Sequence, residues 1–134
     1  MKEYQKLRAL VVDDSGLSRR YVGNVIAKAF NYEEAENSLI ALQKYQEGVE
    51  CGVPYDIVFM DVIMPELDGK EAVRKIRIYE ESLAMKKVPI IMVSASEMVD
   101  EIEELVDGLL RKAVKKSLLD PMLQEIFHGK IAPL

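Results

Sequence analysis

The sequence predicts an α/β protein, a parallel sheet with helices on both faces built from five successive β–α units. Three observations predict it. Short apolar runs alternate with stretches of helical period along the whole chain. The runs Arg8–Val12, Ile57–Met60 and Val88–Val93 are almost continuously apolar, as strands buried on both faces are. Those runs also end in polar residues, Asp13-Asp14, Asp61 and Ser94, at the strand ends where open α/β sheets bind ligands.

After the first strand the period becomes helical from Ser15, with Leu17, Tyr21, Val25 and Ala29 on the inward face and Arg19, Arg20 and Lys28 off it. Asn31 marks the stop, and Tyr32–Ala35 is the second strand. Leu39, Leu42, Tyr45 and Val49 define a second helix, closed by Gly48 and the Cys51–Pro54 turn. The strand Ile57–Met60 then delivers Asp61, and a loop with Pro65 and Asp68-Gly69 follows. A third helix runs from Gly69 through Val73, Ile76 and Tyr79, until Lys86-Lys87 and Pro89 break it. Beyond Ser94, the residues Met98, Ile102, Leu105 and Val106 keep a helical period up to the turn signal Asp107-Gly108. Leu109-Leu110 then reads either as a short fifth strand or as part of a helical period reaching Phe127. Asp120-Pro121 has the cap-plus-first-residue pattern of a last helix, whose apolar face is Met122 and Ile126 with Leu123 and Phe127.

A chain of 134 residues suits one domain, residues 1–134, with a single filled core. The 49% hydrophobic and 31% charged content is that of a soluble globular protein. A net charge of −5 argues against a nucleic-acid or anionic-membrane surface, although Arg111, Lys112, Lys115 and Lys116 form one basic cluster. No apolar run is long enough to span a bilayer, and the charged start Met1–Arg8 is not that of a signal peptide. Cys51 has no partner for an intrachain disulfide, which points to a reducing cytoplasm. His128, the single histidine, reads as a surface residue and builds no metal or triad site alone.

Three carboxylates brought together at one sheet edge repel one another, and a hard divalent cation with oxygen ligands would compensate them. Mg²⁺ suits a site of few carboxylates, whereas zinc would want a His/Cys set that the chain lacks. A carboxylate can also attack phosphorus to give an acyl phosphate. The equatorial oxygens of that group then need Mg²⁺, a lysine and a hydroxyl. Ser94 can supply the hydroxyl, and a lysine after the last strand the charge.

The motifs Val11-Val-Asp-Asp-Ser15, Met60-Asp-Val-Ile-Met-Pro65 with Asp68-Gly69, and Ile90-Ile-Met-Val-Ser-Ala95, in this order and spacing, resemble a receiver domain. Receivers are the phosphoacceptor modules of response regulators and hybrid histidine kinases. The resemblance covers Leu10 to about Phe127 and implies a flavodoxin-like (βα)5 fold, doubly wound, with strand order 2-1-3-4-5. It implies Asp61 as the phosphoryl acceptor, served by a histidine kinase or phosphotransfer protein. It further implies Asp14 as a direct Mg²⁺ ligand, Asp13 acting mostly through water, the Ile63 carbonyl on the metal, and Ser94 as the phosphate-binding hydroxyl. The lysine that receivers place after the fifth strand is Lys112 by its Asp-Gly-Leu-Leu-Arg-Lys context, with Lys116 the alternative by distance from Ser94. Choosing Lys112 implies a clipped fourth helix.

The chain departs from the pattern in two places. Ala113 stands where a cis proline is usual, and cis bonds before other residues are rare, so a differently built turn is expected. Leu109 replaces the aromatic that many receivers rotate on phosphorylation. Ile63 offers no second acid two residues after Asp61, which argues against an aspartate-nucleophile phosphatase. Its apolar side chain also implies slow loss of the phosphoryl group. A degenerate receiver serving as an interaction surface is the rival reading. The sequence leaves open whether the domain stands alone or belongs to a hybrid kinase.

Overall fold

The computed structural model describes residues 4–62, 69–95 and 100–134. Five runs become strands: β1 (Leu7–Val12), β2 (Phe30–Ala35), β3 (Ile57–Asp61), β4 (Ile90–Ser94) and β5 (Gly108–Arg111). They pair in parallel in the order β2-β1-β3-β4-β5, as the resemblance implied. The helices are α1 (Gly16–Ile26), α2 (Ser38–Glu50), α3 (Gly69–Ser82) and α4 (Lys116–Ile126), with a 3-10 helix at Asp100–Leu105. That short 3-10 segment is the clipped element expected before β5.

Alternate strand residues serve two cores because successive side chains point to opposite faces. Leu10, Val12, Val58, Met60, Ile90 and Met92 pack with Ala41 and Tyr45 of α2 and Val73 and Ile76 of α3. Ala9, Val11, Ile57, Phe59, Ile91 and Val93 pack on the other face with Val22, Val25 and Ile26 of α1 and Leu119 and Leu123 of α4. Burying a side chain such as Ile76 contributes about 1.5–3 kcal/mol, so the two apolar layers dominate the stability. β5 forms despite the competing helical period: Gly108 is a poor helix residue, and Gly108–Arg111 pairs in parallel with β4.

Several expectations are corrected. Leu17 is 78% exposed and Tyr21 45% exposed, so the inward face of α1 is Val22, Val25 and Ile26. Leu39 likewise faces outward, while Ala41 and Tyr45 carry the burial of α2. Asn31 is not a helix stop but lies within β2, α1 having ended at Ile26. Gly48 is buried inside α2, which runs on to Glu50. The last helix begins at Lys116, and Pro121 sits inside it rather than at its first position. Burial of Leu119 draws the extra turn into helix, and the Asp120 carboxylate, instead of capping, accepts from the Leu134 N–H (3.0 Å) and Gln124 (3.4 Å). The Lys112–Ala113 peptide is cis, where a differently built turn was expected. Ile63, Pro65, Asp68, Ser96 and Met98 lie outside the described residues.

At the N-terminal end of the sheet a second polar cluster is buried. Glu80 of α3 accepts from the Tyr45 hydroxyl (2.6 Å), the Val88 N–H (2.7 Å) and the Arg77 guanidinium (2.7 Å). Arg77 also donates to the Leu105 carbonyl (2.9 Å), tying α3 to the segment that leads into β5. Asp107 closes that edge by accepting from the Ile90 N–H (2.9 Å) while its own N–H donates to the Ile90 carbonyl (2.8 Å).

Candidate functional site: an acidic cluster at the sheet edge

Strand register assembles the site. Val12 pairs with Met60, so Asp13 emerges beside Asp61 at the end of β3. Asp61 pairs with Val93, which puts Ser94 one step further along, and Ser94 pairs with Arg111, which puts Lys112 one step beyond that. The Lys112 N–H donates to the Ser94 carbonyl (2.9 Å), fixing the exit of β5 against β4. Gly69 opens α3 against the end of β3: its N–H donates to the Val62 carbonyl (3.0 Å), and a Cβ there would collide with the Asp61 carbonyl. No side chain larger than hydrogen fits that approach.

Carboxylate oxygens of Asp13, Asp14 and Asp61 lie within 4.8 Å of one another, with Asp13 and Asp61 buried and Asp14 exposed. The Lys112 ammonium is 2.9 Å from Asp13 Oδ2 and 3.4 Å from Asp61 Oδ2. Burial pulls the pKa of Lys112 down, but the hydrogen bond to Asp13 and the charges of Asp61 and Asp13 outweigh it, holding the pKa above its ordinary value. Lys112 therefore stays cationic at neutral pH. Lys116, the alternative, opens α4 as an exposed residue. Ser94 is buried at the tip of β4.

Two residues not among the expected site residues also serve the site. Arg19, placed off the helical face, donates to the Asp13 carbonyl (2.7 Å) and pairs with Glu34 (3.0 Å). Ser15 caps α1 through Ser18, and its own N–H donates to Asp13 Oδ1 (2.9 Å). Asp13 is thus held by Ser15, Lys112 and, through its backbone, Arg19. Asp14 keeps its carboxylate toward solvent. The single clue in the sequence was the position of Arg19 one turn after Ser15, which is too common a pattern to single out.

This donor set fits a hard divalent cation. The three acids bring three negative charges and Lys112 one positive, so a divalent ion would neutralise the balance, and every ligand offered is oxygen.

A doubly wound sheet with these acids, a hydroxyl and a lysine at its C-terminal edge is the architecture of a phosphoacceptor module. The chain belongs to the response regulator receiver domain family, which residues 9–127 match. It is the receiver domain of a two-component system. The histidine kinase CKI1 of Arabidopsis thaliana is 35% identical over 124 residues, covering 81% of this chain but 11% of that protein. The chemotaxis protein CheY of Listeria monocytogenes is 35% identical over 117 residues, covering 85% of this chain and 82% of that one. The crystal structure of the CKI1 receiver domain complexed with Mg²⁺ and BeF₃⁻ superposes with a TM-score of 0.78 at 31% identity, over 91% of this chain and 90% of that one. No helix among the described residues is long and apolar enough to cross a membrane.

Proposed function

We propose that residues 1–134 form a single receiver that accepts a phosphoryl group on Asp61 from the phosphohistidine of a histidine kinase or phosphotransfer protein, in the cytoplasm. An Asp61 carboxylate oxygen attacks phosphorus, the phosphorus–nitrogen bond breaks, and its electron pair returns to the imidazole. Bound at Asp13, Asp14, Asp61 and the Ile63 carbonyl, Mg²⁺ would neutralise charge on the phosphoryl oxygens. Asp14, exposed beside two buried acids, suits direct ligation, whereas Asp13 is already engaged by Ser15 and Lys112. Lys112 is poised to follow the charge from the carboxylates to the phosphoryl group, and Ser94 offers the hydroxyl donor. The chain would catalyse its own phosphorylation in this way and lose the group slowly, acting as a switch for partners and not as a metabolic enzyme.

The observation that carries this reading is the Lys112 ammonium seated between Asp13 and Asp61. The Mg²⁺ and BeF₃⁻ in the CKI1 receiver support it by likeness. Exposed Leu17 beside the cluster offers apolar surface for the phosphodonor protein.

Intact-mass spectrometry after incubation with acetyl phosphate and Mg²⁺ tests the reading. One phosphoryl adduct is expected on the wild type and none on Asp61→Ala. A wild type that stays unmodified where other receivers are labelled would favour a degenerate receiver.

A further inference from the structure

Tyr21 breaks the inward pattern of α1: its ring is half-exposed, yet its hydroxyl reaches across 93 residues of sequence to donate to the Val114 carbonyl at 2.9 Å. Val114 is buried in the core with Val22, Leu110 and Leu119, and lies two residues after Lys112. The intervening Ala113 lacks the ring by which a proline would fix its own φ, so restraint on this turn must come from contacts. On one side the Lys112 N–H is fastened to the Ser94 carbonyl, and on the other α4 begins at Lys116. Tyr21 ties the middle. It also lines, with Asp13, Leu17, Ser18, Lys112 and Val114, a hollow of about 390 Å³ between α1 and the turn.

We propose that Tyr21 is a positioning residue for Lys112: its hydrogen bond to Val114 pins the β5–α4 turn to α1 so that the ammonium meets the Asp13 and Asp61 carboxylates. The inference rests on the phosphoacceptor reading. With the tie removed, the turn can drift and Lys112 spends less time between the acids, while fold and acids remain.

Phosphorylation rates from acetyl phosphate with saturating Mg²⁺, measured for wild type, Tyr21→Phe, Lys112→Ala and the double variant, test this. A small donor bypasses any role of Tyr21 in docking a partner protein. Tyr21→Phe should lower the maximal rate about twofold to tenfold, the range of one ordinary hydrogen bond, and should have no further effect once Lys112 is alanine. The same cycle read as affinity for BeF₃⁻ with Mg²⁺ covers the case in which Lys112→Ala is too slow to follow. An unchanged rate in Tyr21→Phe, or an equal fractional loss in both backgrounds, overturns the positioning role. A wild type that takes no phosphoryl group overturns instead the phosphoacceptor reading on which it rests.

Discussion

The molecule buries acids at both ends of its sheet, and the two ends treat them differently. At the N-terminal end Glu80 is surrounded by donors that the fold itself holds in place: the Tyr45 hydroxyl, the Val88 N–H and the Arg77 guanidinium. Its charge is matched by Arg77 within the same helix. At the C-terminal end Asp13, Asp14 and Asp61 crowd together and Lys112 offsets one of their charges. A buried carboxylate matched by fixed donors works as a staple, whereas a cluster with surplus negative charge is built to receive a cation. Burial of an acid therefore does not by itself mark function. The charge balance around it does.

The comparison can be broken most forcefully at the staple. Glu80→Ala leaves buried Arg77 with Asp107, at 3.6 Å, as its remaining counter-charge, and frees the Tyr45 hydroxyl and Val88 N–H, so unfolding free energy should fall by about 3 kcal/mol. Urea denaturation measures it, and below its transition the variant should still accept a phosphoryl group on Asp61. A loss of less than about 1 kcal/mol would mean that the staple is dispensable.

At the other end, Asp14→Ala removes a carboxylate that the fold does not need. Thermal melts should show wild type stabilised by millimolar Mg²⁺ and the variant indifferent to it, with the metal-free variant at least as stable as metal-free wild type because one repulsive charge is gone. A wild type that ignores Mg²⁺ would remove the metal site.

The smallest effect concerns protons. Burial above all, then the hydrogen bond and charge of Glu80, pushes the Tyr45 phenol far above its ordinary value near 10. With the folded pKa raised, the contribution to stability is complete below about pH 10 and lost as pH climbs above it, by up to about 1.4 kcal/mol per pH unit. Tyr45→Phe should cost about 1 kcal/mol at neutral pH and decline less steeply above about pH 10. Some slope should persist, since Tyr55, raised by burial and by Glu33 to about 12, titrates by the same logic. Parallel alkaline profiles for variant and wild type would show that Tyr45 ionises freely in the fold.

Much of this was legible in the residues. The strands β1, β3 and β4 are mostly buried, so each reads as a nearly continuous apolar run, and the polar residue that ends it stands out. Strand tips, and with them Asp13, Asp14, Asp61 and Ser94, therefore follow from hydrophobicity alone. Helix faces were less legible. Leu17, Tyr21 and Leu39 fit an inward period, but a helix packed on a sheet buries a narrow stripe, and its angular position depends on what lies beneath.

What the sequence alone determined is the alternation of strands and helices and the acids at the sheet edge, because both are written in local patterns of polarity. Tertiary structure decided the rest. Lys112, expected from its Asp-Gly-Leu-Leu-Arg-Lys context, is brought to the Asp13 and Asp61 carboxylates by the register of β5 on β4 and the exit it fixes, a distance that no local pattern encodes. The start of α4 at Lys116 came from the burial of Leu119 against the sheet, which outweighed the signal at Asp120-Pro121. The ties of Arg19 to Asp13, Tyr21 to Val114 and Glu80 to Tyr45 join residues that only the folded chain brings together. Hydrogen bonds depend on angles and fractions of an ångström, and those are set when the two faces of the sheet have packed.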